Sequence, residues 1–381
     1  MKVLYITNYD TMYGANTSLL GMMIALKNKY NVEPYLLVSG SGKIKELCDK
    51  AGIQCFCYDF RISAVDERIR WKQMRKWTRR WMRYVDFYRV ERVVRKKRIC
   101  FDMVHSNSSI FDIGLFLAGK WGVPHVWHVR EFAREDYGLE FVFGRYAFER
   151  KLLRSDSVIA ISDEIRNRVF SINKKINVER IYNGVDIVRQ YEKEYFIGGE
   201  IRFCIVGSIQ PRKNQLDVVK ACKRLTEKGI SNYRLYIVGD DTGTYCERIR
   251  EYLDNNPEIK DKVVFTGYRD DVNQLLKDMD IGVMASDAEA FGRVTVEYMA
   301  NYMPVIATKT GGTPEIVGEA GAYYIPHDID RLSELMALYM KDNELVQLSG
   351  KMARERALGF TTKRNSERVY EVYKEVSHAA G

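Results

Sequence analysis

Short apolar runs alternate with helical stretches along the whole chain, and this alternation limits the fold more than any other feature. Several runs are almost continuously apolar, as expected for parallel strands covered on both faces. Repeated βα alternation predicts an α/β protein with two doubly wound, Rossmann-like domains that face each other across a cleft. The predicted strands are Lys2–Thr7, Pro34–Ser39, Gln54–Tyr58, Met103–Ser106, His125–Val129, Ser157–Ile161, Arg202–Val206, Arg234–Val238, Lys262–Thr266, Ile281–Ala285, Val305–Thr308 and Tyr323–Ile325.

A polar stretch, Asp186–Glu200, predicts the boundary between the two domains. It contains Gly198-Gly199 and precedes a fresh strand, and 381 residues are too many for one ordinary core. We predict an N-terminal domain over residues 1–190 and a C-terminal domain over residues 191–360. The last segment, residues 361–381, is expected to form a helix that crosses back to the N-terminal domain.

The positive charge of the chain is concentrated in one segment. The formal net charge is +9, and Arg61–Arg98 alone holds 15 Lys or Arg against 4 Asp or Glu. The rest of the chain is close to neutral, which argues against a nucleic-acid-binding protein.

The cysteines and the apolar runs of the sequence indicate the cellular compartment of the protein. The seven cysteines are scattered and the five histidines form no metal-ligand cluster, so we expect reduced thiols and no metal. The chain lacks an apolar run long enough for a signal peptide or a membrane span. We expect a cytoplasmic protein, with peripheral attachment to the inner face of the membrane as an option.

Two candidate residues in the N-terminal domain lie where such sheets bind ligands, at the carboxyl ends of strands. Gly14 lies in the loop after the first strand, where glycine lets the backbone approach a ligand closely; Asn16 or Thr17 can cap the helix that begins near Thr17. His128 lies near the end of another apolar strand. A plain strand-to-helix turn and a structural histidine remain open as alternatives.

In the C-terminal domain the candidates combine cations with carboxylates. Arg212 and Lys213 follow a strand and can neutralise a diphosphate, although surface cations are usually just solvated. Glu289 and Glu297 flank a turn and a helix start. A helix start suits a phosphate, and carboxylates accept hydrogen bonds from hydroxyls. Hydroxyls and phosphate together describe a nucleotide-activated sugar.

Six motifs in order resemble those of the group 1, retaining glycosyltransferases of sequence family 4, which have the GT-B fold. The similarity is strong over residues 155–320 and looser over 1–150. The motifs are Asn183-Gly-Val-Asp186, Gly207…Pro211-Arg-Lys213, Val238-Gly239-Asp240, Phe265-Thr-Gly267, Glu289-x7-Glu297 and Pro304-Val-Ile-Ala-Thr…Gly311-Gly312-x-Pro-Glu315.

The resemblance implies roles in binding the sugar and the nucleoside of a UDP- or GDP-sugar donor. Glu297 would bind the ribose hydroxyls, and the loop at Tyr268 would lie beside the base. Glu289, with the backbone of Phe291 and Gly292, would hold the donor sugar.

The resemblance also implies roles at the diphosphate. Backbone N–H groups near Val294 and Thr295, with Lys213 and the helix dipole, would stabilise the leaving diphosphate. The Gly14 loop would close over the same phosphates, and His128 would contact the transferred sugar.

One departure concerns Ser208, where the family commonly has Arg, so the charge is expected to come from Arg212. The family implies a hexosyltransferase-type enzyme that retains anomeric configuration without a metal cofactor.

The basic segment is also rich in tryptophan. Met74, Trp77, Trp81, Val85 and Tyr88 recur at helical spacing, and the cations Arg75, Lys76, Arg79, Arg80 and Arg83 occupy other faces. Such a helix suits an anionic membrane surface, or else its stripe packs on the first domain.

The sequence therefore favours a glycosyltransferase that extends a lipid-linked or saccharide acceptor in surface polysaccharide synthesis. The alternatives are a soluble glycosyltransferase with a small phosphorylated acceptor and a non-catalytic binding module with the same fold.

Overall fold

The computed structural model describes residues 1–66, 72–133, 139–141, 144–187, 191, 193, 195 and 199–379, and their side chains except those of 65–80 and 145. The chain divides into two compact units. Unit 1 comprises Met1–Asp186 and Thr361–Gly381, and unit 2 comprises Ile187–Phe360. Each unit is built around its own parallel sheet.

Unit 1 contains a seven-stranded parallel sheet in the order β3-β2-β1-β5-β6-β8-β9, and a two-stranded antiparallel sheet, β4-β7. The strands are β1 Lys2–Thr7, β2 Glu33–Val38, β3 Gln54–Cys57, β4 Ala64–Asp66, β5 Met103–Ser106, β6 His125–Val129, β7 Leu139–Phe141, β8 Ser157–Ala160 and β9 Val178–Arg180. The helices before the boundary are α1 Gly14–Tyr30, α2 Lys43–Lys50, α3 Lys72–Lys96, α4 Ile113–Trp121, α5 Gly144–Leu152 and α6 Asp163–Ile172.

Unit 2 contains a six-stranded parallel sheet in the order β12-β11-β10-β13-β14-β15, so the strand order reverses between β10 and β13. The strands are β10 Ile201–Val206, β11 Tyr233–Val238, β12 Val263–Phe265, β13 Ile281–Met284, β14 Val305–Thr308 and β15 Gly321–Tyr324. The helices are α7 Gln215–Glu227, α8 Thr244–Asp254, α9 Pro257–Lys260, α10 Val272–Lys277, α11 Arg293–Ala300, α12 Thr313–Val317, α13 Ile329–Lys341 and α14 Asn343–Ala357.

The last helix, α15 (Thr362–Ala379), belongs to unit 1 although it follows unit 2 in the chain. Val369, Val372 and Val376 are buried in the same core as strand β1. Thr362 donates its backbone N–H to the carbonyl of Val185 over 3.2 Å. The helix therefore completes the hydrophobic core of unit 1.

The α/β fold class predicted from the alternation is confirmed: each large sheet is parallel and has the strand order of a doubly wound fold. Strands β4, β7 and β9 were not predicted, and helix α1 begins at Gly14, not near Thr17. Within the part of the chain that the structure describes, no helix has both the length and the apolar character needed to cross a membrane.

Candidate functional site

Three neighbouring strands of unit 2 end in glycines that lie close together. Gly207 donates its N–H to Val238 O over 2.9 Å, and Gly239 donates to Gly267 O over 3.1 Å. A Cβ atom on Gly239 would lie 2.1 Å from Gly207 O, so only glycine permits this approach. Tyr268, which was predicted to lie beside the base, directly follows this cluster and is exposed. The loops after these strands therefore pack closely at the carboxyl edge of the sheet.

The loop after β10 is tied to the loop after β13. Asn214 adopts a left-handed conformation (φ 54°) and donates from Nδ2 to Ala285 O over 3.0 Å and to Asp287 Oδ1 over 2.5 Å. Asp287 donates its N–H to Arg212 O over 3.0 Å. These bonds hold the 3-10 turn Pro211–Lys213 at the point where the strand order reverses.

Lys213 and Glu289 form a largely buried ion pair. Nζ of Lys213 donates to Oε1 of Glu289, and their side chains are 18% and 14% exposed. Ser286 Oγ donates to the same oxygen over 2.7 Å. Burial raises the pKa of Glu289, but Lys213 and Ser286 outweigh burial and the net pKa is lowered. Glu289 is therefore a carboxylate at neutral pH.

The Gly311-Gly312 turn holds the backbone of Glu289. Gly312 donates its N–H to Glu289 O over 2.7 Å. Gly311 is left-handed (φ 54°), and a Cβ atom there would lie 2.5 Å from Glu289 O. The two glycines thus fix the backbone position of Glu289.

Helix α11 begins beside Glu289. Gly292 is the N-cap in a left-handed conformation (φ 75°), and a Cβ atom on it would lie 3.9 Å from Glu289 Cβ. Phe291 and Thr295 are buried, and Val294 is partly buried. Oγ1 of Thr295 has no hydrogen-bond partner within the described residues. The backbone N–H of Thr295, predicted to face the diphosphate, donates to Gly292 O over 2.9 Å. The helix start therefore presents the N–H of Val294 and the Thr295 hydroxyl close to the Lys213–Glu289 pair.

Glu297 lies one turn along α11, with its side chain 15% exposed. Its Oε1 accepts a hydrogen bond from Arg293 Nε over 2.9 Å. Burial raises the pKa of Glu297, and Arg293 offsets part of this effect. The i,i+4 spacing could have revealed Arg293 from sequence, but neither Arg293 nor Ser286 was predicted.

Gly14 is the first residue of α1 and is exposed. The prediction that Asn16 or Thr17 caps this helix is wrong, because both lie inside its first turns. Nδ2 of Asn16 instead donates to Tyr9 O and Thr11 O over 2.8 and 2.7 Å. The amide therefore shapes the loop that leads to Gly14.

His128 is fully buried near the end of β6 in unit 1. Its Nδ1 lies 3.2 Å from His105 Nε2 and 3.3 Å from a terminal nitrogen of Arg130. Its Nε2 has no hydrogen-bond partner within the described residues. Burial and then the charge of Arg130 hold the pKa of His128 well below its usual value, so the ring is neutral.

The basic segment forms helix α3, whose described part exposes several apolar side chains, Met82 and Tyr84 among them. Trp81, Val85 and Tyr88 are 66%, 47% and 55% exposed. Arg83, predicted to lie on a different face from the apolar stripe, is buried and pairs with Asp112 over 3.1 Å. The other predicted members lie outside the described side chains: Met74, Arg75, Lys76, Trp77, Arg79 and Arg80.

Two family models match consecutive parts of this chain. "Glycosyltransferase Family 4" matches residues 47–189, and "Glycosyl transferases group 1" matches residues 188–356. The chain belongs to the group 1 (family 4) glycosyltransferases. The family resemblance inferred from the ordered motifs is confirmed.

Two curated relatives illustrate the range of this glycosyltransferase family. The N-acetyl-alpha-D-glucosaminyl L-malate synthase of Bacillus anthracis is 30% identical over 213 residues, 53% of this chain and 55% of that protein. The UDP-Gal:alpha-D-GlcNAc-diphosphoundecaprenol alpha-1,3-galactosyltransferase of Escherichia coli is 24% identical over 303 residues, 73% of this chain and 76% of that protein. This chain thus spans about half the length of the first relative and three quarters of the second.

The fold is that of the GT-B glycosyltransferases. The crystal structure of Anabaena HepE in complex with UDP and glucose superposes with a TM-score of 0.80 at 18% identity, covering 98% of this chain and 99% of that chain. At this identity the similarity shows the fold alone. Within the described residues, no group of three or more His, Cys, Asp or Glu side chains is arranged to hold a metal ion.

Proposed function

We propose that this glycosyltransferase transfers a sugar from a UDP- or GDP-sugar with retention of anomeric configuration and without a metal cofactor. The observation that carries the proposal is the Lys213–Glu289 pair beside the start of α11. This site combines a cation, a helix N-terminus and a carboxylate, which suit a glycosyl diphosphate. The likeness to HepE, whose structure contains UDP and glucose, supports the donor class.

Lys213 can serve both the carboxylate and a phosphate. An ammonium group has three N–H donors and uses one on Glu289. The remaining donors, with Arg212, the N–H of Val294 and the hydroxyl of Thr295, would bind the diphosphate. Fixed positive charge of this kind stabilises the leaving group as its negative charge develops, which is the task that a divalent metal performs elsewhere.

Glu289 would hold the donor sugar. Among the described residues, Lys213 and Ser286 both donate to Oε1 of Glu289, and no hydrogen bond reaches Oε2. Because its pKa is lowered, Glu289 is an acceptor for sugar hydroxyls at neutral pH. Glu297, held by Arg293, would accept the ribose hydroxyls in the same way.

Retention would follow from attack on the same face as the leaving group. The acceptor hydroxyl oxygen bonds to the anomeric carbon as the carbon–oxygen bond to the diphosphate breaks. The hydroxyl proton passes to the leaving phosphate oxygen, so the charges balance. The protein contributes position and electrostatic stabilisation.

We propose further that the acceptor is lipid-linked and is reached at the inner face of the cytoplasmic membrane. On one face of α3, Trp81, Val85 and Tyr88 are followed at helical steps by Arg92 and Arg95, all of them exposed. The opposite face, with Phe87, Val90 and Val94, is buried in unit 1. Exposed aromatics next to cations suit an anionic membrane surface.

The relatives name two acceptor classes. The Escherichia coli relative is named for a diphosphoundecaprenol-linked acceptor, which supports the lipid-linked proposal. The Bacillus anthracis relative is named for L-malate, which supports a small acidic acceptor as the second candidate. The exposed apolar face of α3 favours the lipid-linked acceptor, because a small acidic acceptor would make no apolar contact with that face.

A thermal-shift screen tests the donor proposal. UDP, GDP and their sugars are added to the full chain at increasing concentration, and a true donor raises the melting temperature with the logarithm of its concentration. Release of free nucleotide from the same compound then tests turnover. Failure of every nucleotide sugar to shift the melting temperature would overturn the proposal.

A further inference from the structure

Arg130 contacts three polar side chains inside unit 1. The residue follows β6 and is buried. Its Nε donates to Asn107 Oδ1 over 2.6 Å, one terminal nitrogen donates to Asn183 Oδ1, and the other lies 3.3 Å from His128 Nδ1. A guanidinium group carries only donors, so every atom that it contacts must be an acceptor.

This constraint sets the orientation of Asn107. Because Oδ1 accepts from Arg130, the other end of the amide is the Nδ2 donor. Asn107 is fully buried, and Nδ2 has no hydrogen-bond partner within the described part of the chain. The side chain thus carries an unpaired donor that its neighbours hold in place.

The same constraint sets the tautomer of His128. A neutral imidazole has one donor and one acceptor nitrogen. Because Nδ1 accepts from Arg130, the proton is on Nε2, the buried atom that has no partner among the described residues. Burial and the nearby positive charge hold the pKa of His128 well below its usual value and so keep the ring neutral.

His105 lies between His128 and Tyr373 of helix α15. His105 Nε2 also lies 3.2 Å from His128 Nδ1, and the hydroxyl of Tyr373 lies 2.7 Å from His105 Nδ1. The Tyr373 hydroxyl donates its single proton to the hydroxyl of Tyr5 over 3.1 Å. Of the two groups beside Nδ1 of His128, Arg130 is the fixed donor, so Arg130 is the group that makes this nitrogen an acceptor.

The two unpaired donors lie at neighbouring positions in the fold. Asn107 directly follows β5, His128 lies near the end of β6, and β5 and β6 are adjacent strands. Asn107 and His128 contact the same edge of the Arg130 guanidinium group, Asn107 at Nε and His128 at a terminal nitrogen. A buried donor without a partner costs about 1–3 kcal/mol, so two at one carboxyl edge indicate a ligand atom that both can reach.

We propose that Arg130 presets Asn107 Nδ2 and His128 Nε2 as two hydrogen-bond donors for an oxygen atom of the sugar substrate. The proposal rests on the proposed function and adds Asn107 as a binding residue and Arg130 as a positioning residue. Two donors and no acceptor select a ring, hydroxyl or glycosidic oxygen that can accept both bonds. Arg130 acts through the other two residues and does not itself contact the substrate.

The tautomer is measured directly by NMR on protein labelled with ¹⁵N-histidine. Only five histidines are present, which keeps the spectrum simple. The expected wild-type spectrum shows His128 neutral with its proton on Nε2, and Arg130→Met shifts the population toward the Nδ1 tautomer or the charged ring. A wild-type His128 protonated on Nδ1 overturns the proposal. This readout needs no substrate, so it is independent of the donor proposal.

The substrate contact is tested with Asn107→Asp, for which calorimetry compares the affinities for UDP-glucose and UDP. The aspartate retains Oδ1 as the acceptor for Arg130 but replaces the Nδ2 donor with a negative oxygen. We expect it to weaken UDP-glucose binding about tenfold relative to UDP. The control Asn177→Asp makes the same change at an exposed asparagine and should leave the ratio unchanged.

An unchanged ratio in Asn107→Asp overturns the contact to the substrate, and a selective loss of the glucose contribution supports it. If wild-type protein binds neither UDP nor UDP-glucose, the UDP form of the donor proposal fails. The histidine spectrum still decides the role of Arg130 in that case.

If Arg130→Met does not fold, Arg130→Lys provides the second variant for the histidine spectrum, because a lysine donates at a single point and cannot hold both acceptors.

Discussion

The ammonium group of Lys213 donates a hydrogen bond to Oε1 of Glu289, across 76 positions of the chain. The two residues follow β10 and β13, the strands between which the sheet of unit 2 reverses its order. Ligands of open α/β sheets bind at this reversal. The pair therefore links the architecture of unit 2 to the charge of its candidate site.

Replacing Lys213 with methionine should reduce both stability and turnover. The variant leaves the carboxylate of Glu289 largely buried without its counter-charge, which costs about 3 kcal/mol. The loss of a donor to the leaving diphosphate should lower the transfer rate about 100-fold or more. Urea denaturation and nucleotide-release kinetics measure the two effects separately.

The double variant Lys213→Met/Glu289→Gln provides the thermodynamic cycle. Its loss of unfolding free energy should be smaller than the sum of the losses in the two single variants, because the buried charge without a partner is gone. It should remain inactive. Lys220→Met removes a more exposed i,i+3 pair with Asp217 and should cost less than about 1 kcal/mol. Wild-type turnover in Lys213→Met would contradict the proposed role.

Gly311→Ala should disturb Glu289, whereas Gly229→Ala should not. Both glycines are left-handed, with φ of 54° and 76°, so alanine costs about 1 kcal/mol at either position. A Cβ atom at Gly311 would lie 2.5 Å from Glu289 O, but one at Gly229 would have nothing within 4 Å. We therefore expect a loss of transfer rate only in Gly311→Ala, measured beside the melting temperature of both variants. Equal activities would show that the turn does not position the carboxylate.

His125 should make unit 1 sensitive to acid. Burial lowers its pKa from 6.5 to about 3, while Oγ of Ser106 and Ser155 lie 2.9 and 3.0 Å from its ring nitrogens. Above pH 6.5 the His125 ring is neutral in both the folded and the unfolded chain, so the folded state has its full stability. As the pH falls from 6.5 towards 3 the unfolded chain binds the proton first, and stability is lost by roughly 1.4 kcal/mol per pH unit.

The test compares urea midpoints between pH 7 and pH 4. His125→Gln should lose less stability over this range than the wild type, although His105 and His128 keep contributing in the same direction. His378→Gln, at an exposed position, should retain the wild-type slope. Identical slopes in wild type and His125→Gln would contradict the assignment.

Apolar strands could be predicted from sequence, including the edge strands β3, β12 and β15, whereas the charged edge strand β9 could not. The predictions for β1, β5, β6 and β14 match the observed bounds, because a strand covered on both faces must be apolar along its length. Val178–Arg180 lies at a sheet edge and contains two charged residues, so it carries no such pattern. The α/β class follows from the first kind of strand alone.

Individual site residues could be named from sequence, but their pairing could not. Helix signals located Gly292 and Glu297, and the strand ends located Lys213 and His128. The direct contact of Lys213 with Glu289 depends on how two loops pack, which no local pattern encodes. Arg130 was also missed, because its importance comes from the acceptors around it.

The exposed face of α3 should bind anionic vesicles. Each cation near such a surface contributes about 1 kcal/mol, so removing three should weaken binding about 100-fold. We expect the wild type to co-sediment with phosphatidylglycerol vesicles at low salt, and Arg92→Gln/Arg95→Gln/Lys96→Gln to remain in solution. Trp81→Ser/Val85→Ser/Tyr88→Ser should also fail to bind, because the exposed apolar area is lost.

A control with the same loss of charge on α15, Lys363→Gln/Arg364→Gln/Lys374→Gln, should bind nearly as the wild type does. Equal loss in the control would reduce the effect to net charge, and no wild-type binding would exclude α3 as a membrane contact and favour the small acidic acceptor.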